Sequence, residues 1–91
     1  MDDPVEAIVA EALDRYNVRY VRDGKGDTKG LDFYLPDEAV YIEVKQFHTD
    51  RVSEQMSRAE NVIVIQGIVA ARTFAAMVAG WYLVAGQKIT T

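Results

Sequence analysis

The order of apolar and polar positions along the chain predicts seven short elements. Residues 4–16 carry apolar side chains at helical spacing, which predicts a helix capped by Asp3, with Pro4 in its first turn. The apolar positions of this helix are Val5, Ile8, Val9, Ala12, Leu13 and Tyr16. Residues 18–22 are β-prone and partly alternating, which predicts a strand. Residues 23–30 contain three glycines and predict an exposed loop.

The next two segments predict a β-hairpin. Residues 31–35 and 40–45 are alternating strands, joined by a four-residue connection that begins with Pro36. Pairing the strands about this turn places Asp32 opposite Glu43, and directly opposed side chains point to the same face of a sheet. That face carries Asp32, Tyr34, Tyr41, Glu43 and Lys45. The other face is uniformly apolar and is expected to lie on the core.

The second half of the chain predicts two helices and one or two strands. Residues 50–60 are expected to form a polar helix, and residues 62–65 a strand covered on both faces, because four β-branched residues follow one another. Gly67 interrupts this run, and residues 68–79 form an alanine-rich helix. Residues 81–84 are either a last strand or the end of that helix. The predicted class is α/β, a four-stranded mixed sheet flanked by helices in the order α-β-β-β-α-β-α.

Composition limits the classes of function. With 91 residues we expect a single domain spanning residues 1–91, and 49 % hydrophobic residues favour a folded chain. A net charge of −4 argues against nucleic-acid binding by bulk positive charge. With no cysteine and one histidine, disulfides, thiolate sites and multi-histidine metal centres are excluded. The acidic start of the chain and its short apolar runs predict an intracellular, cytoplasmic protein without a membrane span.

The predicted juxtaposition of two carboxylates is the main chemical signal. Two opposed carboxylates repel, and a divalent cation held between their oxygens would remove that repulsion. Mg²⁺ suits such ligands, and Mn²⁺ should substitute for it. Lys45 lies two residues beyond Glu43 on the same face, about 7 Å along the strand. A cation and an ammonium group at this spacing suit hydrolysis of a phosphodiester.

The same residues carry a family resemblance. Asp32, ten intervening residues and then Glu43-Val44-Lys45 resemble the signature of the PD-(D/E)XK nuclease superfamily, over roughly residues 4–66. With Gln55 on the next helix, the pattern is most similar to the VRR-NUC group of small, often phage-associated nucleases. Leu31 stands where the signature has proline. The resemblance implies a minimal restriction-endonuclease-like fold, with a helix on each side of the sheet, in a protein encoded by a bacterium or phage.

The resemblance also implies roles for individual residues. The implied catalytic residues are Asp32, Glu43, Lys45 and Gln55. The implied metal ligands are Glu6, Asp32, Glu43 and the carbonyl of Val44. A phosphate-contacting rim is one interpretation of the basic residues outside this set, and an ordinary solvated surface is the other. These basic residues are Arg19, Arg22, Lys25, Lys29 and Arg51.

The predicted function is a divalent-metal-dependent endonuclease that hydrolyses DNA phosphodiester bonds. Selectivity for branched or junction DNA is one form that this function could take. Two alternatives stay open. One is a catalytically silent domain of the same fold that binds nucleic acid or protein, and the other is a phage-type inhibitor whose acidic surface binds a basic partner. Residues 68–85 contain few polar side chains, which predicts a homodimer interface, with tight packing in a monomer as the alternative.

Overall fold

The chain folds as one small sheet with helices packed against it. The computed structural model describes residues 3–45 and 59–90, with side chains described for residues 3–45 and 59–81. Among the described residues there are two helices, α1 (Pro4–Arg15) and α2 (Gly67–Thr90). The strands of this part of the chain are β1 (Val21–Arg22), β2 (Phe33–Leu35), β3 (Val40–Lys45) and β4 (Val62–Gln66). The strand order is β1-β2-β3-β4, antiparallel except for the parallel pair β3–β4. The predicted α/β class with a four-stranded mixed sheet is therefore confirmed.

Helix α1 has the predicted cap at its start and a well-defined stop. The carboxylate of Asp3 accepts hydrogen bonds from the N–H groups of Val5 (2.8 Å) and Glu6 (3.4 Å). At the other end, Asn17 adopts a left-handed conformation (φ 56°), and the N–H of Val18 donates to the Leu13 carbonyl at 2.9 Å. This arrangement satisfies the last carbonyls of the helix and turns Val18 into the core.

The core lies between one face of the sheet and both described helices. The apolar face of the β2–β3 hairpin contributes Phe33, Leu35, Ile42 and Val44, as the alternation predicts, and β4 adds Ile65. From the helices come Val5, Val9 and Leu13 of α1 and Ala71 and Val78 of α2. Because these strand residues share one face, both helices pack on that face. We call it the inner face, and the opposite face, which carries Asp32 and Glu43, the outer face.

Several predicted elements differ from the structure. The strand expected over residues 18–22 is reduced to Val21–Arg22. Helix α2 continues through residues 81–84, which settles their assignment as helix. The prediction that residues 62–65 are covered on both faces is wrong, because Ile63, which shares the inner face with its neighbour Ile42, is 42 % exposed. Of the helix expected over residues 50–60, residues 50–58 lie outside the described residues, and Ala59 and Glu60 form a bend instead of a helix end.

Helix α2 is the longest element of the molecule and is strongly apolar. Its 24 residues extend about 36 Å at 1.5 Å per residue. Arg72 is its sole charged residue before Lys88. Within the part of the chain that the structure describes, no helix is long and apolar enough to cross a membrane.

Candidate active site

The hairpin register brings the two predicted carboxylates together on the outer face. Tyr34 pairs with Tyr41 and Leu35 with Val40, as the four-residue turn predicts. Asp32 directly precedes β2, and the same register continues to place it beside Glu43. In this position the carboxyl group of Asp32 is close enough to Glu43 to raise its pKa, through a hydrogen bond and its negative charge.

Asp32 is held in place by both neighbouring strands. Its backbone carbonyl accepts a hydrogen bond from the N–H of Asp23 at 3.1 Å, on the β1 side. Its carboxylate accepts one from the N–H of Val44 at 2.7 Å, on the β3 side. The Asp32 side chain thus continues the hydrogen bonding between β2 and β3 beyond the end of β2. These two hydrogen bonds preorganise the Asp32 carboxylate, so little further conformational entropy is lost when it binds a ligand.

Glu43 is a buried acid with an unusual protonation state. Its relative exposure is 2 %, and its Oε2 atom has no hydrogen-bond partner among the described residues. The pKa of Glu43 is raised from its usual value near 4.5 to about 8. Burial is the main cause, and the hydrogen bond and negative charge of Asp32 act in the same direction. The Lys45 ammonium acts in the opposite direction but does not offset them. At pH 7 Glu43 is therefore mostly protonated in the metal-free chain.

Lys45 lies beside the carboxylate pair, as its position in the sequence predicts. Its Nζ is 3.6 Å from Glu43 Oε2, and its side chain is 23 % exposed. The parallel register places Gln66 opposite Lys45, on the same outer face at the end of β4. Sequence reasoning did not single out Gln66, because its position depends on which strand pairs with β3. The sequence feature that could have identified Gln66 is its amide side chain directly after four apolar strand residues.

The residues present match a divalent cation in part. Two adjacent carboxylates, one of them with an oxygen that lacks a hydrogen bond, are the donor set that Mg²⁺ commonly uses together with waters and substrate phosphate oxygens. Among the described residues, however, no group of three or more acidic or histidine side chains could hold a metal. The carboxylate pair therefore fits a cation that takes its remaining ligands from main chain, water and substrate. The role of the Val44 carbonyl as a metal ligand stays a prediction.

The structure does not bring Glu6 into this cluster. Glu6 accepts a hydrogen bond from Arg22 at 2.6 Å, in a half-buried ion pair. Arg22 also lies over the ring of Phe33, with 5.0 Å from its Cζ to the ring centroid, on the inner face. The predicted metal ligand Glu6 and the predicted phosphate contact Arg22 are thus partners of each other. The roles predicted for both stay predictions.

The other predicted basic contacts occupy different surroundings. Arg19 forms an exposed ion pair with Asp37 at 2.9 Å, a type of pair that contributes little to stability and exchanges readily. Lys25 is exposed in the loop between β1 and β2. Lys29 lies with its Nζ 5.7 Å from the ring centroid of Tyr41, on the outer face. The predicted residues Gln55 and Arg51 lie outside the described residues.

Comparisons of the chain with family models, with curated proteins and with solved structures found no match. A function for this site is therefore inferred from the chemistry of its own residues. The central feature is the buried, protonated Glu43 beside the half-buried Asp32, with an ammonium group 3.6 Å from the Glu43 carboxyl group.

Proposed function

We propose that the protein is a divalent-metal-dependent endonuclease that hydrolyses DNA phosphodiester bonds, with a PD-(D/E)XK-like fold most similar to the VRR-NUC group. The observation that supports this proposal best is the Asp32–Glu43 pair with Lys45 beside it on the outer face. Burying the Glu43 acid beside a second carboxylate is costly, and an apolar residue would pack at this position at lower cost. Costly ionisable groups of this kind concentrate at functional sites.

In this mechanism, Asp32 and Glu43 hold the cation, and the Val44 carbonyl is the third protein ligand. A bound Mg²⁺, or Mn²⁺ in its place, supplies charge neutralisation at the phosphate and lowers the pKa of an attacking water. Glu43 would have to be deprotonated to hold the cation, because a carboxylate ligand is charged. The Lys45 ammonium donates to a non-bridging oxygen of the scissile phosphate, where it offsets the negative charge that develops during attack. Glu6 would lie outside this ligand set, because α1 packs on the inner face and Glu6 is paired there with Arg22.

The substrate is held by contacts to its phosphates in this proposal. The loop that carries Lys25 and Lys29 lies between β1 and β2 and reaches the outer face at Tyr41. Arg19 can exchange Asp37 for a phosphate, because both partners of this pair are exposed. Such a local rim on an acidic protein favours substrates that present several phosphate backbones to it, as branched and junction DNA do.

Metal binding and cleavage test the proposal directly. We expect millimolar Mg²⁺ or Mn²⁺ to raise the melting temperature, because the cation binds the folded chain in preference to the unfolded one. Cleavage should then be measured on linear duplex, single-stranded, flap and four-way-junction DNA. A chain that is indifferent to both ions in the melting assay and cuts none of these substrates is not a metal-dependent nuclease.

One observation favours a second candidate, a catalytically silent domain that binds nucleic acid. Only two acids meet at the site among the described residues, and the third predicted acid, Glu6, is paired with Arg22. A silent domain would bind DNA in the presence of a chelator and show no cleavage with any divalent ion. The melting assay and the cleavage assay together distinguish the two candidates.

We also propose a homodimer through residues 68–85. Val69, Met77 and Trp81 of α2 are 78 %, 68 % and 52 % exposed, which is unusual for large apolar side chains in a monomer. Beside them, an apolar cavity of about 800 Å³ opens between α2, β4 and the end of α1. Residues 73–87 contain no charged side chain, so two copies of this surface can meet around a two-fold axis without like-charge repulsion.

Sedimentation equilibrium at micromolar concentration is expected to give twice the mass of the chain. Met77→Glu should shift the equilibrium to monomer, because it introduces two like charges into a two-fold interface. Ala7→Glu places the same charge on the exposed surface of α1 and should leave the dimer intact. A wild-type chain that sediments as a monomer of 10.2 kDa contradicts the dimer.

A further inference from the structure

A depression of about 480 Å³ lies on the outer face, where Tyr34 and Tyr41 of the β2–β3 hairpin line it. Its aromatic part is the cross-strand pair of Tyr34 and Tyr41, whose ring centroids are 4.5 Å apart with an angle of 34° between the rings. Tyr41 lies two residues before Glu43 on β3, about 7 Å along the strand. A nucleotide whose phosphate lies at the carboxylate pair therefore has a base within reach of the depression.

The polar groups around the tyrosines suit a nucleotide. The Lys29 ammonium lies over the Tyr41 ring, 5.7 Å from its centroid, and a base that stacks there would displace it towards a flanking phosphate. Asn61 and Glu60 line the opposite rim with an amide and a carboxylate, both exposed. Amide and carboxylate groups read the edges of bases, and a carboxylate accepts hydrogen bonds from their amino groups.

The backbone around this depression is strained. Among the described residues, four that are not glycine have a positive φ, and three of them line the depression. These are Lys29 (φ 55°), Ala39 (φ 58°) and Asn61 (φ 58°). Asn61 is held in position by its carbonyl, which accepts the N–H of Tyr41 at 3.0 Å. Conformations of this kind cost energy and tend to gather where a site needs a particular shape.

We propose that this depression binds one unpaired nucleobase of the substrate, stacked against the Tyr34–Tyr41 pair. The inference rests on the proposed function, since it places the base next to the scissile phosphate. A base inside a duplex has both faces covered by its neighbours, so it can reach the tyrosines only when it is unpaired. The preferred substrates are therefore single strands, flaps and branched DNA that carry an unpaired nucleotide beside the cut.

Binding of a short single-stranded oligonucleotide that contains 2-aminopurine tests this proposal, with EDTA present so that no cleavage occurs. The fluorescence of 2-aminopurine should fall on binding, because stacking quenches it. Tyr41→Leu should weaken binding at least about fivefold and abolish the quenching, whereas Tyr41→Phe keeps the ring and should preserve both. Equal binding and quenching by wild type and Tyr41→Leu would overturn the proposal.

Two further variants keep the test valid if Tyr41→Leu destabilises the sheet. Asn61→Gly removes the amide and keeps the left-handed backbone, since glycine adopts a positive φ without strain. Lys29→Met removes the ammonium, and Arg15→Met is its control, because Arg15 is exposed on α1 and pairs with Glu11. Weaker binding by Asn61→Gly and Lys29→Met, with wild-type binding by Arg15→Met, supports the site. The reverse pattern overturns it.

Cleavage with Mg²⁺ separates this inference from the proposed function. Wild type that cuts a flap substrate, with Tyr41→Leu cutting it equally well, overturns the base site and leaves the nuclease standing. Wild type that quenches 2-aminopurine but cuts nothing supports the base site and overturns the nuclease.

Discussion

Replacing Glu43 with glutamine is expected to lower the rate of Mg²⁺-dependent DNA cleavage at least about a hundredfold. Glutamine has nearly the same shape as glutamic acid but cannot carry the negative charge that holds a cation. Glu43 is already protonated at pH 7 in the metal-free chain, so the substitution mimics that state and the fold should be retained. Initial rates of cleavage on a fluorescent substrate measure the effect.

Asp32→Asn and Lys45→Ala should reduce cleavage by a similar factor, but they should differ in metal binding. Asp32→Asn retains an oxygen that can accept the Val44 N–H and loses the charge, so the rise of the melting temperature with Mg²⁺ should disappear. Lys45→Ala leaves both carboxylates in place and should keep that rise. This difference separates a residue that binds the cation from one that acts on the phosphate.

Glu11→Gln is the matched control for these substitutions. Glu11 is an exposed acid on α1, bonded to Arg15 at 3.0 Å, and both helices lie on the opposite side of the sheet from Asp32. Its rate and its response to Mg²⁺ should equal those of wild type. Full cleavage activity in Glu43→Gln, with Glu11→Gln also active, would show that the carboxylate pair is not the catalytic centre.

The hairpin and the carboxylate pair are predictable from sequence because a single constraint determines both. Shifting β2 against β3 by one residue would put Phe33 on the same face as Tyr41 and Glu43 and away from Ile42, so the register has one acceptable value. The four-residue turn that follows Leu35 agrees with that value. Once the register is known, Asp32, Glu43 and Lys45 must lie on the same face.

Features that depend on contacts between distant segments are not predictable in this way. Glu6 forms its ion pair with Arg22, which is sixteen residues away and in another element. No local sequence pattern predicts this ion pair. Ile63 is exposed because α2 leaves an open apolar cavity over it, and a run of apolar residues does not reveal how a distant helix packs. The sequence also does not distinguish a helix from a strand over residues 81–84. A segment of consecutive apolar residues shows neither the helical nor the strand periodicity of polar and apolar positions.

In a buffer with a chelator, the free energy of unfolding should fall as the pH rises from about 4.5 to about 8, relative to Glu43→Gln. The folded chain raises the pKa of Glu43 to about 8, above the value near 4.5 that it has when unfolded. The contribution of this protonated group is therefore complete below about pH 4.5 and lost as the pH approaches 8. Between these limits the unfolded chain holds fewer protons than the folded one, and the loss is about 1.4 kcal/mol per pH unit.

Denaturant unfolding of wild type and Glu43→Gln at a series of pH values measures this difference, since the two chains differ only in the titratable group at position 43. The two chains should diverge with rising pH, with the glutamine variant the more stable at pH 8. Glu11→Gln should run parallel to wild type throughout. Millimolar Mg²⁺ should bring wild type back towards the variant at pH 8, because the cation binds the deprotonated pair in the folded state and takes the place of the lost proton. Parallel curves for wild type and Glu43→Gln would mean that Glu43 is charged in the folded chain, and its hydrogen bond with Asp32 could then not persist at neutral pH.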